Sequence, residues 1–191
     1  MIKFSLLLMI LGTFFGCSFK TPANEWQYKS SNAFSSYVKH FMYGEDRVAR
    51  NDLKRAVKYA KMSANLKPLA RVYLGKCALN ISVGVVDRCS EYESISNLIE
   101  DEELSNYYSI ITKSPNTNPK DILDTDKVTS ILLNGALEKD NLTSAERAKL
   151  LEIASYNGYK KAVIFWLKES LKYADEETQK ESFQKKLKIL K

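Results

Sequence analysis

The chain has 191 residues, of which 45% are hydrophobic and 27% charged, with only seven Gly and four Pro. That supply of apolar side chains excludes disorder over the whole length, and the length suits one domain. The net charge of +6 is too mild to define a partner by itself, so its distribution along the chain carries more information than its sum.

The first sixteen residues do not belong to the fold. Met1-Ile2-Lys3 is a short positive start, Phe4 to Phe15 is a nearly unbroken apolar run, and Gly16-Cys17 closes it before the polar Ser18-Phe19-Lys20-Thr21-Pro22. The pattern is that of a secretory signal, and the run falls short of the roughly 20 residues that a spanning helix needs. With a Cys directly after a small residue, this segment resembles the lipobox of bacterial lipoproteins. Phe14 and Phe15 stand where that family has Leu and a small residue. The resemblance implies a signal peptide at 1–16, cleavage after Gly16, acylation of Cys17 and a tether at 17–22. It also implies a cell-envelope address, and Ser18 after the lipid-bearing Cys points to the outer membrane, facing the periplasm. An uncleaved N-terminal anchor and an ordinary signal peptide cut nearer Ala23 are the alternatives.

If Cys17 carries lipid, two thiols remain, Cys77 and Cys89. In an oxidising compartment such a pair is a natural disulfide. The alternative is two buried free cysteines packed as small apolar side chains. A metal site is disfavoured, because the chain has a single His and no CxxC pair.

The first folded segment is expected over 23–43, with Thr21 as N-cap and Pro22 at the first helical position. Trp26, Ala33, Phe34, Tyr37, His40 and Phe41 recur at helical spacing and form a core stripe. His40 reads as a packed or half-exposed member of that stripe. Gly44-Glu45-Asp46 breaks the helix, and a second is predicted to run to Leu66 with Leu53, Ala56, Val57, Ala60 and Ala64 on its apolar side. Its opposite side carries Arg47, Arg50, Lys54, Arg55, Lys58 and Lys61, either a plain solvated face or, through Arg47, Arg50, Lys54, Lys58 and Lys61, a surface for lipid headgroups or an acidic partner. Nucleic acid is not an expected partner for an exported protein.

From Tyr43 to Gly75 the chain resembles the Sel-like repeat, a helical-hairpin relative of the tetratricopeptide repeat. The match runs Tyr43-Gly44, Val48, Asp52, Arg55-Ala56, Ser63-Ala64, Ala70 and Leu74-Gly75, with an extra residue at the Gly turn and a turn at Pro68 one residue shorter. Fainter copies fall at Leu74-Gly75, Gly84-Val85 and Asp87, and at Ala154-Ser155, Gly158, Ala162 and Trp166. The resemblance implies an all-α fold, a short α-solenoid of stacked hairpins, in which small residues let helices approach closely. Its cysteine-bearing secreted members space their cysteines differently, so it implies no specific activity.

Beyond Cys89 the charge changes sign. Glu91, Glu93, Glu100, Asp101, Glu102 and Glu103 make an acidic stretch, either solvated or laid against the basic helix before it. Ser114 to Pro119 is the clearest loop and separates an N-terminal half, 23–113, from a C-terminal half, 120–191. In the latter, Asn118-Pro119 is expected to cap a helix with Ile122, Leu123, Val128, Ile131, Leu132 and Leu137. Thr143-x-x-Glu146 is a capping box for the next helix, which ends at Asn157-Gly158. A helix from Tyr159 to about Tyr173 follows. The last, from Asp175 to Leu190, reads as a terminal cap or as a basic helix lying on a membrane surface.

No GxSxG, HExxH, phosphate-binding Gly-rich loop or EF-hand pattern occurs, so neither an enzyme nor a cofactor is expected. Two functions from different classes fit: a tethered protein–protein interaction scaffold or assembly factor whose partner is another envelope protein, or a peptidoglycan-binding or cell-wall-modifying lipoprotein.

Overall fold

A computed structural model describes residues 24–113 and 127–190. The signal segment, Cys17, the 17–22 tether, the Thr21-Pro22 helix start, the 114–119 loop, the Asn118-Pro119 cap and Ile122 and Leu123 all lie outside the described residues. Among those described, regular structure is entirely helical: α1 (Glu25–Tyr43), α2 (Asp46–Ala60), α3 (Lys67–Ser82), α4 (Ser90–Ser96), α5 (Glu102–Lys113), α6 (Lys127–Leu137), α7 (Ser144–Tyr156), α8 (Lys160–Lys172) and α9 (Glu177–Leu190).

Gly44 turns α1 into α2 with φ +82°, a left-handed conformation that costs Gly almost nothing. Its N–H donates to the Phe41 carbonyl at 3.0 Å and the Glu45 N–H donates to the His40 carbonyl at 2.9 Å, which satisfies two carbonyls left open at the helix end. The turn is tight, so α1 and α2 run antiparallel along their whole length. Ser30 on α1 donates to the Ala56 carbonyl across that contact, at 2.9 Å.

Helix α2 is shorter than its apolar spacing predicts and stops at Ala60 rather than Leu66. Side chains beyond that point compete for the backbone: the Asn65 N–H donates to the Ser63 hydroxyl at 3.0 Å, and the Lys67 N–H to the Asn65 side-chain oxygen at 2.9 Å. Ser63-Ala64 therefore sits in a turn, with Ala64 exposed. Pro68 is not in the turn at all. It occupies the first turn of α3, where a missing N–H leaves nothing unsatisfied.

Helix α3 lies at the centre and packs against α1, α2, α4, α5 and α6. The acidic stretch finds its partners here and not on α2. Asp101 lies 3.2 Å from Lys67, Glu103 lies 3.6 Å from Arg71, and Glu91 pairs with Lys76. Asp101 also accepts the Leu104 N–H at 3.1 Å, an N-terminal cap for α5. That bond, aided by Lys67, outweighs desolvation and holds its carboxyl below the ordinary value.

On the far side of 114–126, Thr143 and Glu146 form the reciprocal capping box at the start of α7. Helices α7 and α8 make a second hairpin through Asn157-Gly158, and α9 packs on α8 with Leu187 buried and Ile189 exposed. The largest core cluster joins both parts of the chain. Tyr37, Phe41 and Met42 of α1 meet Leu132 of α6, Leu150 of α7 and Trp166 of α8. Trp166 is wholly inaccessible, and truncating a side chain of that kind costs about 3–5 kcal/mol. Lys161 of α8 pairs with Asp46 of α2 at 2.6 Å, so the first hairpin is clamped by the last.

Candidate functional site

A groove runs beside α1. Its lower part, of about 560 Å³, is lined by Phe34, Ser35 and Val38 of α1, Ala78 and Leu79 of α3, and Leu133 of α6. Its upper part, of about 450 Å³, lies between Gln27 and Ser30 of α1 and Pro68, Arg71 and Val72 of α3. Ser31, Phe34, Gly75 and Tyr107 line both parts, so the two adjoin where Phe34 meets Gly75. Its wall is mostly apolar in the middle and charged at the ends, with Lys39 and Tyr43 at one and Arg71 and Glu103 at the other.

The groove exists because position 75 has no side chain. A Cβ there would stand 2.4 Å from Cζ of Phe34, so the tip of the ring reaches bare helix backbone. Tyr107, buried at the groove floor, has its phenol pushed up from the ordinary value by burial. It stays a neutral hydroxyl at any physiological pH.

On the outer side of the same hairpin, Arg47, Arg50, Lys54, Lys58 and Lys61 are all exposed. At about 100° per residue they fall within an arc of about 80°. No acidic side chain pairs with any of them among the described residues. Tyr59 flanks the stripe, with Lys58 at 6.0 Å and Lys29 at 5.6 Å from its ring centre.

Between groove and stripe sits a buried carboxylate. Asp52 is 4% exposed; its Oδ2 shares a hydrogen bond of 2.6 Å with His40 Nδ1, and its Oδ1 accepts from Arg55 Nη2 at 2.5 Å. Glu45 stands 3.6 Å from the other ring nitrogen of His40. Desolvation alone pushes the Asp52 carboxyl up, but the bonds from His40 and Arg55 more than offset it, and the group is held below its ordinary value. His40 is half-exposed, as its place in the α1 stripe implies, but that stripe does not identify its partner. The available signal is Asp52 itself, a carboxylate in phase with Ala49 and Ala56 on the apolar side of α2.

Cys77 and Cys89 are joined as a disulfide with Cα atoms 5.3 Å apart. Asp87 braces the loop they close, accepting the Cys89 N–H at 2.8 Å and the Asn80 amide at 2.7 Å. Cys77, Asp87 and Cys89 are the three potential metal ligands that come together among the described residues, and the disulfide ties up both sulfurs. None of the described helices is long and apolar enough to cross a membrane.

Compared with family models, curated proteins and solved structures, the chain matches none.

Proposed function

We propose that this protein is a lipid-anchored lipoprotein of the bacterial cell envelope that acts as a protein–protein interaction scaffold. Its groove beside α1 receives an apolar-faced helix or extended peptide of another envelope protein. The observation that carries the reading is the pair of adjoining, mostly apolar parts of that groove, which share Ser31, Phe34, Gly75 and Tyr107. A mostly apolar wall with charged ends suits an amphipathic segment held by side-chain burial and oriented by end charges. A polyhydroxylated glycan strand would be poorly served by it, which favours a protein partner over peptidoglycan.

Two further features support the address. The leader ending in Gly16-Cys17 supports a diacylglycerol anchor, and several acyl chains hold a protein to a bilayer almost permanently. The Cys77–Cys89 bond supports an oxidising compartment. Ser18 favours the outer membrane and the periplasmic side. The helical hairpins α1–α2 and α7–α8 support a short Sel-like stack arranged about α3, and the basic stripe along α2 offers that stack a second contact, with an anionic surface.

Photo-crosslinking in living cells tests the reading. A benzoylphenylalanine at Ser31 or Ser35 gives a discrete protein adduct, whereas one at Lys185 on α9 does not. Absence of any adduct from both groove positions, with retention on purified sacculi instead, rejects the scaffold in favour of a cell-wall ligand.

A further inference from the structure

Arg147, in the first turn of α7, is only 4% exposed. Its guanidinium lies over Tyr173, with Cζ 3.7 Å from the ring centre, and Nη2 donates to the Lys139 carbonyl at 3.0 Å. A guanidinium has five N–H donors, and that is its one hydrogen bond among the described residues. Nε is buried without a partner. No carboxylate makes an ion pair with it among the described residues, and Glu146 acts on it only at longer range. Asp140 is taken by Lys139 at 2.8 Å, the Tyr173 hydroxyl at 3.1 Å and Lys172 at 3.6 Å, while Glu146 is turned back onto Thr143. A buried cation left unpaired is costly to a fold.

The same side chain lines a cavity of about 370 Å³ between α7, α8 and α9, together with Ser144, Leu151, Ser170, Tyr173 and Phe183. Ser170 brings a second unmet group to that wall, since its buried hydroxyl also has no partner among the described residues. The open donors of Arg147 and the unmet hydroxyl of Ser170 converge there from two helices, and Leu151 and Phe183 supply an apolar remainder. Asp175 stands on the same lining and repels a doubly charged group more than a singly charged one.

We infer that this cavity is a binding site for a small apolar monocarboxylate. The carboxylate takes the open donors of Arg147 in the planar geometry that a guanidinium favours. Ser170 donates to it as well, and the hydrocarbon tail packs on Leu151 and Phe183. Asp175 selects a single negative charge over a phosphate dianion. A free acid and the C-terminus of a peptide share this headgroup chemistry.

Isothermal titration of the full chain tests the site with four probes: hexanoate, hexanamide, hexyl phosphate and N-acetyl-leucine. Hexanoate or N-acetyl-leucine binds, the tighter of the two identifying the source. Hexanamide, which has the same tail but no charge, binds about ten- to a hundredfold more weakly, and hexyl phosphate falls below hexanoate. Arg147→Met loses carboxylate binding while keeping the helical circular dichroism. Ser170→Leu, which fills the cavity and retains Arg147, loses it as well and decides the matter should Arg147→Met fail to fold. Equal heats from hexanoate and hexanamide, no heat from either carboxylate, or full binding by Ser170→Leu overturns the inference.

Discussion

His40 and Asp52, twelve positions apart in sequence, share a hydrogen bond of 2.6 Å that ties α1 to α2 beneath the basic stripe. Because the Asp52 carboxyl is held below its ordinary value of 3.8 in the fold, its charged form stabilises the native state. That contribution is complete above the unfolded carboxyl's range and fades as pH falls below about 4 through the lowered folded value. Asp52→Asn is expected to cost about 1–3 kcal/mol at neutral pH. Urea midpoints at pH 7 and pH 3 check it: the gap between the two proteins narrows at pH 3, and a constant gap speaks against a stabilising Asp52 charge.

Reduction of the disulfide, or Cys77→Ser with Cys89→Ser, opens a loop whose ends are 12 residues apart. In the chain-entropy model such a loop is worth about 3 kcal/mol. Thermal unfolding with and without reductant measures it, and an unchanged midpoint contradicts the expectation.

Gly84 has φ +77°, and a Cβ there would stand 2.3 Å from the Phe165 ring. Gly84→Ala therefore meets both a left-handed backbone and a clash with the core of α8, for a loss of about 2–4 kcal/mol. A stability within 0.5 kcal/mol of the parent in chemical denaturation, to take a rough surface-mutation threshold, refutes this packing of Gly84 on α8.

At Gly75 the expected effect falls on binding more than on folding. Gly75→Ala displaces the Phe34 ring into the channel and narrows it. The crosslinked adduct from Ser35 is then lost, while the circular dichroism stays helical. Persistence of the adduct places the partner elsewhere.

For the anchor, Cys17→Ala abolishes incorporation of labelled palmitate into the protein. Unchanged labelling in that variant removes the lipid from the proposal.

Features written in a few neighbouring residues are legible in the sequence alone. The Gly44 turn, the Thr143–Glu146 capping box and the Asn157-Gly158 stop each depend on hydrogen bonds within one or two helical turns, and such bonds follow residue type closely. Pro68 misleads because Pro serves equally well in a turn and at a helix start. The end of α2 falls earlier than apolar spacing implies because Ser63 and Asn65 capture backbone groups that spacing alone would leave to the helix. Partner choice is harder still to read. Glu91, Asp101 and Glu103 face cations on α3 rather than the denser row on α2, since packing decides which face each helix turns toward the next. The groove depends on Gly75 lying opposite Phe34, and the Arg147 cavity on three helices meeting. Neither relationship has any signature in a single stretch of sequence.

The clamp between the two hairpins also sets an order of events. The face of α1 that carries Tyr37, Phe41 and Met42 is covered by α8, which leaves the ribosome more than a hundred residues later. At roughly 5–20 residues per second that interval is of the order of ten seconds. Throughout it, the part of that apolar flank that α8 covers stays open, whatever α3 and α6 already shield. Under the export proposed above, that delay keeps the nascent chain unlocked, and so threadable, until α8 has been delivered.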